Sequence, residues 1–165
     1  MNASAPRESS SAAARGPWLP YLLPIFLWVA LVALLSSNLV QVNDPLLFLM
    51  KLSRRLFPSF AEPGLLNRLN LALWKAGHVV AYFVLSLLLW RLWQRGEKIA
   101  WRWLSAFRTL AVGLLLAGLN ELFQVFAPPR TARATDIALD AVGIVLALLL
   151  LRRQARRAPA AQANS

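Results

Sequence analysis

Acidic and amide side chains occur at helical spacing inside the most apolar part of the sequence. Glu121 and Gln124 are three positions apart, and Asp136 and Asp140 are four apart, so each pair lies on one face of a helix. Ionisable groups in such apolar surroundings are costly unless they are paired, which makes them candidates for function. A carboxylate beside a histidine can orient that histidine for general acid or base catalysis. The chemistry therefore depends on where the chain places His78, its only histidine.

His78 stands near the start of another apolar run, and Tyr82 follows it by one helical turn. The two side chains therefore share a face. A single histidine near a helix start is more often a structural residue with satisfied hydrogen bonds than a catalytic one. Acids that face it from neighbouring helices favour an acid–base role. The alternative is a buried polar network that only fixes helix packing.

A short proline-rich loop, residues 127–131, separates the two acidic pairs. Its prolines cannot continue a helix, so one helix is predicted to end before the loop and another to start after it. A connection this short makes the two helices antiparallel neighbours and brings Glu121 and Asp140 to similar depth. Arg130 in this loop is a candidate clamp for an anionic substrate or for Glu121, or a charge that meets lipid phosphate. Asp136 has the simpler alternative of a first-turn acid that interacts with the helix dipole.

The composition is that of a small membrane protein. Of 165 residues, 58% are hydrophobic, the mean hydropathy is +0.52 and the formal net charge is +11. Basic residues in the loops of a membrane protein explain such a charge, whereas a basic nucleic-acid-binding domain would lack apolar runs of this length. The chain has no cysteine and therefore no disulfide or thiolate site. It also lacks the Walker, Rossmann, HExxH and GxSxG motifs, so nucleotide chemistry and the common hydrolase mechanisms have no support.

Four apolar runs are long enough to span a bilayer. The sequence therefore predicts an all-α membrane protein, a four-transmembrane-helix bundle formed by a single membrane domain at residues 17–152. Disordered tails are predicted at residues 1–16 and, with basic character, at 153–165. Within the first loop, grouped apolar and basic residues at 44–57 predict a short interfacial helix. The predicted spans cover residues 18–37, 75–93, 104–126 and 135–151.

The first span has a rival interpretation as a cleaved signal peptide, with Arg7 and Arg15 in its charged start. Its apolar run is long for a signal peptide, and no clear Ala-x-Ala cleavage site follows it. We therefore interpret it as a transmembrane helix. Pro20 and Pro24 fall in its first turns, where proline is tolerated best.

Glycines and tryptophans suggest how the spans pack and where they meet water. Three glycines inside the spans predict close helix packing; they are Gly113, Gly118 and Gly143. Tryptophans alternate with arginines between residues 90 and 103, which is typical of a membrane–water boundary. We interpret these tryptophans as interface anchors rather than as a ligand site.

Four spans place both chain ends on the same side of the membrane. If that side is the cytoplasm, 11 basic residues lie inside and 7 outside, as the positive-inside rule favours. His78, Glu121 and Asp140 then converge on the outer end of the bundle. Three helices that supply polar faces at one depth favour a shared site over separate solvated groups.

The order and spacing of these polar residues resemble VanZ-like membrane proteins over about residues 18–151. The resemblance implies a small bacterial protein of about four or five spans in the cytoplasmic membrane. It implies a link to the cell envelope and to antibiotic resistance, since the name-giving member is associated with resistance to teicoplanin, but no reaction. The family commonly has Asn where this chain has Asp140, which gives this chain an additional acid. The resemblance rests on Lys75, His78 and Tyr82, on Asn120, Glu121 and Gln124, and on Arg130, Asp136, Asp140 and Gly143.

Two classes of function follow. In the first, a polar pocket at the extracytoplasmic end acts on or binds a cell-envelope lipid or glycan precursor, or influences glycopeptide susceptibility. In the second, the chain is a non-catalytic structural or partner-binding envelope protein, so enzymatic activity stays an open question. The catalytic candidates are His78, Glu121 and Asp140, and the substrate-binding candidates are Tyr82, Gln124, Arg130 and Asp136.

The expected partners are membrane lipids together with a lipid-linked envelope precursor or a glycopeptide, and no nucleic acid. No cofactor and no metal are predicted. A histidine with carboxylates could hold a divalent cation, but these residues lack the spacing of an established metal motif.

Reporter fusions test the predicted orientation. Alkaline phosphatase and green fluorescent protein fusions after Arg95 and after Gln154 are expected to report a cytoplasmic position, and a fusion after Glu62 an external one. The reason is the excess of basic residues on the side of the chain ends. An external signal after Arg95 would invert the topology and move the polar residues to the cytoplasmic face.

Overall fold

The computed structural model describes residues 17–36, 52, 55, 63–95, 100–125 and 134–162. Each of its four long α-helices is long and apolar enough to cross a membrane, and the described part of the chain contains no strand. The predicted all-α membrane bundle with four spanning helices is therefore confirmed. The helices are α1 (Leu19–Ser36), α2 (Pro63–Gln94), α3 (Trp103–Val125) and α4 (Ala134–Gln162).

Two predicted segments lie wholly or mainly outside the described residues. The predicted N-terminal tail, residues 1–16, lies outside the described residues. Of the predicted interfacial helix at 44–57, only Leu52 and Arg55 are described, and both are helical. The interfacial helix therefore stays a prediction.

Two helices are longer than the predicted spans. α2 begins at Pro63 rather than near residue 75, and proline suits a helix start because its missing N–H needs no partner there. α4 runs to Gln162, past the predicted end of the span at residue 151 and into the segment that the sequence predicted as a basic tail. Arginine and alanine are strong helix formers. The loss of hydropathy in this segment therefore ends the span without ending the helix.

Contacts near both ends show that α2 and α4 run parallel. His78 meets Asp140 in the first half of both helices. Further along both helices, Trp90 and Leu151 share one hydrophobic cluster. From the first contact to the second, the residue numbers rise along both helices. This happens only when the two helices are parallel.

α3 runs antiparallel to α4. Ile144 packs against Gly113 in the middle of the two helices, and the guanidinium of Arg152 lies over the ring of Trp103, the first residue of α3. This is the arrangement predicted from the short proline-rich connection. It places Glu121, near the end of α3, at the end of the bundle where α4 begins.

α2 and α4 approach each other closely at Gly143. A Cβ atom there would overlap the carbonyl oxygen of Val79 and lie 3.0 Å from the backbone nitrogen of Phe83. A residue without a side chain allows two helix backbones to come this close. Asp140 lies one turn before Gly143, and His78 is adjacent to Val79. This contact therefore sets the separation across which the polar pair forms.

The other two glycines differ from each other. A Cβ atom at Gly113 would lie 2.8 Å from the terminal carbon of Ile144, a side chain that can shift. No described atom lies within 4 Å of the Cβ position at Gly118. The prediction that Gly118 permits close packing is therefore wrong for the described part of the chain.

α1 packs more loosely than the other helices. It buries a single residue, Ile25, and many of its large apolar side chains face outward, as on a helix that contacts lipid. Two polar contacts hold it to α2. The indole N–H of Trp28 donates to the carbonyl oxygen of Ala81 at 2.9 Å, and the guanidinium of Arg95 lies 3.6 Å from the ring centroid of Trp18.

Alanine substitutions at two glycines test the role of the α2–α4 contact. Gly143→Ala is expected to destabilise the protein by about 1–3 kcal/mol, because the new methyl group overlaps the backbone of α2. Gly118→Ala is the matched control, since nothing lies near its Cβ position. Thermal unfolding of both variants in the same detergent measures the difference. Equal melting temperatures would show that the helices separate at Gly143 without cost.

Candidate functional site

His78 of α2 and Asp140 of α4 form a hydrogen-bonded pair inside the bundle. His78 Nδ1 lies 2.9 Å from Asp140 Oδ1. The side chain of Asp140 is fully buried and that of His78 is 10% exposed. Asp140 is about 9 Å along α4 from its first residue, at a rise of about 1.5 Å per residue. The pair therefore lies within the apolar part of the bundle and not on its lipid-facing surface.

The hydrogen bond fixes the orientation of the imidazole ring. An ionised carboxylate can only accept a hydrogen bond, so the shared proton belongs to His78 Nδ1 when Asp140 is ionised. Nε2 then carries no proton in the neutral ring, so this nitrogen can act as a proton acceptor. A carboxylate that holds a histidine in this way prepares it for general base catalysis.

The second carboxylate oxygen of Asp140, Oδ2, is also buried. It has no hydrogen-bond partner in the described part of the chain. A buried acceptor without a donor costs about 1–3 kcal/mol. Such an atom needs a specific explanation, and a hydrogen-bond donor from outside the described residues would satisfy it.

Glu121 and Gln124 are buried on the face of α3 that their spacing predicted. Gln124 Nε2 donates to Glu121 Oε1 at 3.4 Å. Glu121 lies within electrostatic range of His78, and so does Asp136. α3 and α4 thus place three carboxylates near one histidine, and Asp140 is the one hydrogen-bonded to it. Among the described residues, no group of three or more His, Cys, Asp or Glu side chains is arranged so that it could hold a metal ion.

The other residues predicted for the site are Tyr82, Asp136 and Arg130. Tyr82 is buried in the core and lies within electrostatic range of two of the acids. Asp136 is in the first turn of α4, where its carboxylate accepts a hydrogen bond from the hydroxyl of Thr135 at 3.4 Å and faces the positive end of the helix dipole. Arg130 lies outside the described residues, so its role stays a prediction.

A cavity of about 130 Å³ lies between α1, α2 and α3. Its walls are almost entirely apolar, and Tyr82 and Asn120 contribute polar groups to them. Of the described residues predicted for the site, Tyr82 is the one that lines this cavity. Tyr82 follows His78 by one turn on α2. The cavity and the His78–Asp140 pair are therefore neighbours along one helix.

Two cavity residues that carry polar side-chain groups, Asn120 and Trp28, were not among the predicted site residues. The side-chain nitrogen of Asn120 is buried and has no acceptor in the described part of the chain. Its position directly before Glu121 was the available signal. Trp28 lines the cavity and also anchors α1 to Ala81. Nothing in the spacing of α1 distinguishes Trp28 from an ordinary lipid-facing aromatic residue.

Four spanning helices around a buried histidine–carboxylate pair define a small multi-pass membrane protein with a polar intramembrane site. Residues 19–155 match the VanZ/LLP1 family, a range that includes nearly all of the four spans and every predicted site residue. The chain therefore belongs to this family, and the resemblance seen in the sequence is confirmed. No curated protein and no solved structure matches the chain.

Proposed function

We propose that this protein performs acid–base chemistry on a lipid-linked precursor of the bacterial cell envelope. The site lies at the outer end of the bundle, in an inner-membrane protein with both chain ends in the cytoplasm. The observation that carries the proposal is the hydrogen bond between His78 Nδ1 and Asp140 Oδ1 at 2.9 Å in the interior of a membrane-spanning bundle. Ionisable groups within membrane spans are costly and are characteristic of functional sites.

In this mechanism His78 Nε2 accepts a proton from a hydroxyl group of the substrate headgroup. Asp140 holds the ring in place and stabilises the imidazolium that forms. The nearby carboxylates of Glu121 and Asp136 add negative potential, which stabilises the same positive charge. Arg130, on the loop between α3 and α4, would bind a phosphate of the headgroup through its guanidinium.

The apolar cavity supports a lipid-linked substrate. At about 130 Å³ it is smaller than the roughly 300–1,000 Å³ of a typical small-molecule pocket. Its size and lining suit a segment of an alkyl or isoprenoid chain rather than a whole ligand. Asn120 and Tyr82 would face the more polar part of that molecule. The chain would thereby hold the headgroup near His78.

A purely structural role for the same residues is the competing proposal. The full burial of Asp140 and the close α2–α4 contact at Gly143 are also what a network that fixes helix packing requires. In that case the protein would bind a partner or a glycopeptide without chemistry. The two proposals differ in what they require of position 78. Chemistry requires a group that takes up and releases a proton, whereas packing requires only a hydrogen-bond donor.

Substitution of His78 by Asn separates these proposals. The amide of Asn can still donate a hydrogen bond to Asp140 but cannot act as a base. A strain lacking the protein would be complemented with wild type, His78→Ala, His78→Asn or Asp140→Asn, and its envelope lipids and glycan precursors would be profiled. Teicoplanin susceptibility is measured in parallel. Immunoblots of membranes confirm that the variants accumulate equally.

Wild type is expected to restore the profile, and Asp140→Asn is expected to restore much of it, because the amide oxygen at position 140 still accepts the hydrogen bond from His78 but no longer carries the charge that stabilises the imidazolium. His78→Ala and His78→Asn are expected to fail, since general base catalysis contributes about 10²–10⁴-fold to a rate. Full rescue by His78→Asn would favour the structural role. Rescue by His78→Ala as well would exclude His78 from function.

A further inference from the structure

Aromatic and basic side chains form a second cluster at the opposite end of the bundle from His78. The rings of Trp90 and Trp101 stack at 5.3 Å between centroids, and Trp103 meets Trp101 edge-on at 5.4 Å. The guanidinium of Arg152 lies 5.7 Å from the ring centroid of Trp101 and 5.3 Å from that of Trp103. We call these four residues the Trp–Arg cluster. It consists of Trp90 of α2, Trp101 just before α3, Trp103 at the start of α3 and Arg152 of α4.

The Trp–Arg cluster contains hydrogen-bond donors without acceptors. The indole nitrogens of Trp90 and Trp101 are buried and have no hydrogen-bond partner in the described part of the chain, and the same holds for Trp93 beside the cluster. An indole nitrogen can only donate, and a guanidinium can only donate. The side chains of the cluster are therefore all donors, and a ligand that matches them must supply acceptors.

The charge of this end points to an anionic ligand. The sequence segments 91–108 and 152–165, which lead into and out of the cluster, contain nine basic residues and one acid, Glu97. No carboxylate among the described residues pairs with Arg152. Asp140 is twelve positions away on α4, about 18 Å along the helix. The cluster is therefore separate from the acidic site.

The sequence pattern alone indicates that these tryptophans are interface anchors rather than a ligand site. From the contacts with Arg152 and the indole nitrogens without acceptors in the described part of the chain, we propose instead that the Trp–Arg cluster binds the phosphate of an anionic phospholipid headgroup. A guanidinium donates paired hydrogen bonds to phosphate oxygens, and the rings of Trp101 and Trp103 hold that guanidinium by cation–π contact. Trp103 is 69% exposed and Phe107, one turn further along α3, is 68% exposed. These apolar surfaces lie where the acyl chains of the same lipid would pack. Tryptophan and arginine side by side are characteristic of the level of the headgroups.

Lipid-dependent stabilisation of the purified protein tests this site. The protein in a neutral detergent is titrated with phosphatidylglycerol, with zwitterionic phosphatidylcholine or with soluble glycerol phosphate, and the melting temperature is followed. Arg152→Gln is compared with Arg153→Gln. Arg153 is the matched control, since it is the next residue on α4, carries the same charge and is exposed. Arg152→Lys keeps the charge but not the planar fork of donors.

Phosphatidylglycerol is expected to raise the melting temperature at lower concentration than the other two compounds. Arg152→Gln is expected to weaken its apparent affinity about tenfold, and Arg153→Gln less than about threefold. If Arg152→Gln does not fold, Arg152→Lys tests the site instead, and its apparent affinity for phosphatidylglycerol is expected to be several-fold weaker than that of wild type. Equal effects of the substitutions at 152 and 153 would overturn the proposal in favour of diffuse attraction, and so would equal responses to phosphatidylglycerol and phosphatidylcholine.

Discussion

The cost of placing ionisable groups inside a membrane is the constraint on which the rest of this structure depends. Asp140 is fully buried in a membrane-spanning helix, where an unpaired charge would be strongly destabilising. His78 reduces this cost by a direct hydrogen bond. That bond requires α2 and α4 to lie at short separation, and Gly143 permits this separation because a side chain there would overlap the backbone of α2. The hydrogen bond between His78 and Asp140 therefore depends on the close packing of α2 against α4.

The two ends of the bundle have opposite chemical character. Carboxylates from α3 and α4 lie near His78 at one end, whereas tryptophans surround Arg152 at the other. The apolar middle of α4 separates them. An acidic site that receives a headgroup and a basic site that binds anionic lipid would hold the protein at a defined depth and orientation. Both proposals therefore assign lipid as the ligand, but each depends on its own residues.

Much of this arrangement could be predicted from the sequence because it follows from periodicity. The hydropathy of the four runs predicted the spans, and spacing of three and four residues predicted which faces of α3 and α4 are buried. The short loop before α4 predicted the antiparallel pair. The hydrogen-bond partner of His78 could not be predicted from periodicity. Whether His78 meets Asp140 or Glu121 depends on the rotation of α2 about its axis, which spacing within α2 does not determine.

Other features depend on packing between distant segments. The cavity lies between α1, α2 and α3. The sequence of α1 is apolar on all sides, so no pattern shows which side of α1 faces the bundle. Gly113, Gly118 and Gly143 all lie in apolar runs, yet among the described residues only Gly113 and Gly143 have a neighbouring helix within 4 Å of their Cβ positions. The extension of α4 to Gln162 arises from helix propensity beyond the span, where hydropathy alone had predicted an end.

The orientation of the imidazole by Asp140 is the central claim, and the chain offers a direct way to measure it. His78 is the only histidine, so protein purified without a histidine tag and labelled with ¹⁵N-histidine gives one pair of ring signals in solid-state NMR of lipid bilayers. If Asp140 orients the ring, Nδ1 is protonated and hydrogen-bonded, and its signal moves in Asp140→Ala but stays in place in Gly118→Ala. An identical ring spectrum in wild type and Asp140→Ala would show that Asp140 does not orient the imidazole.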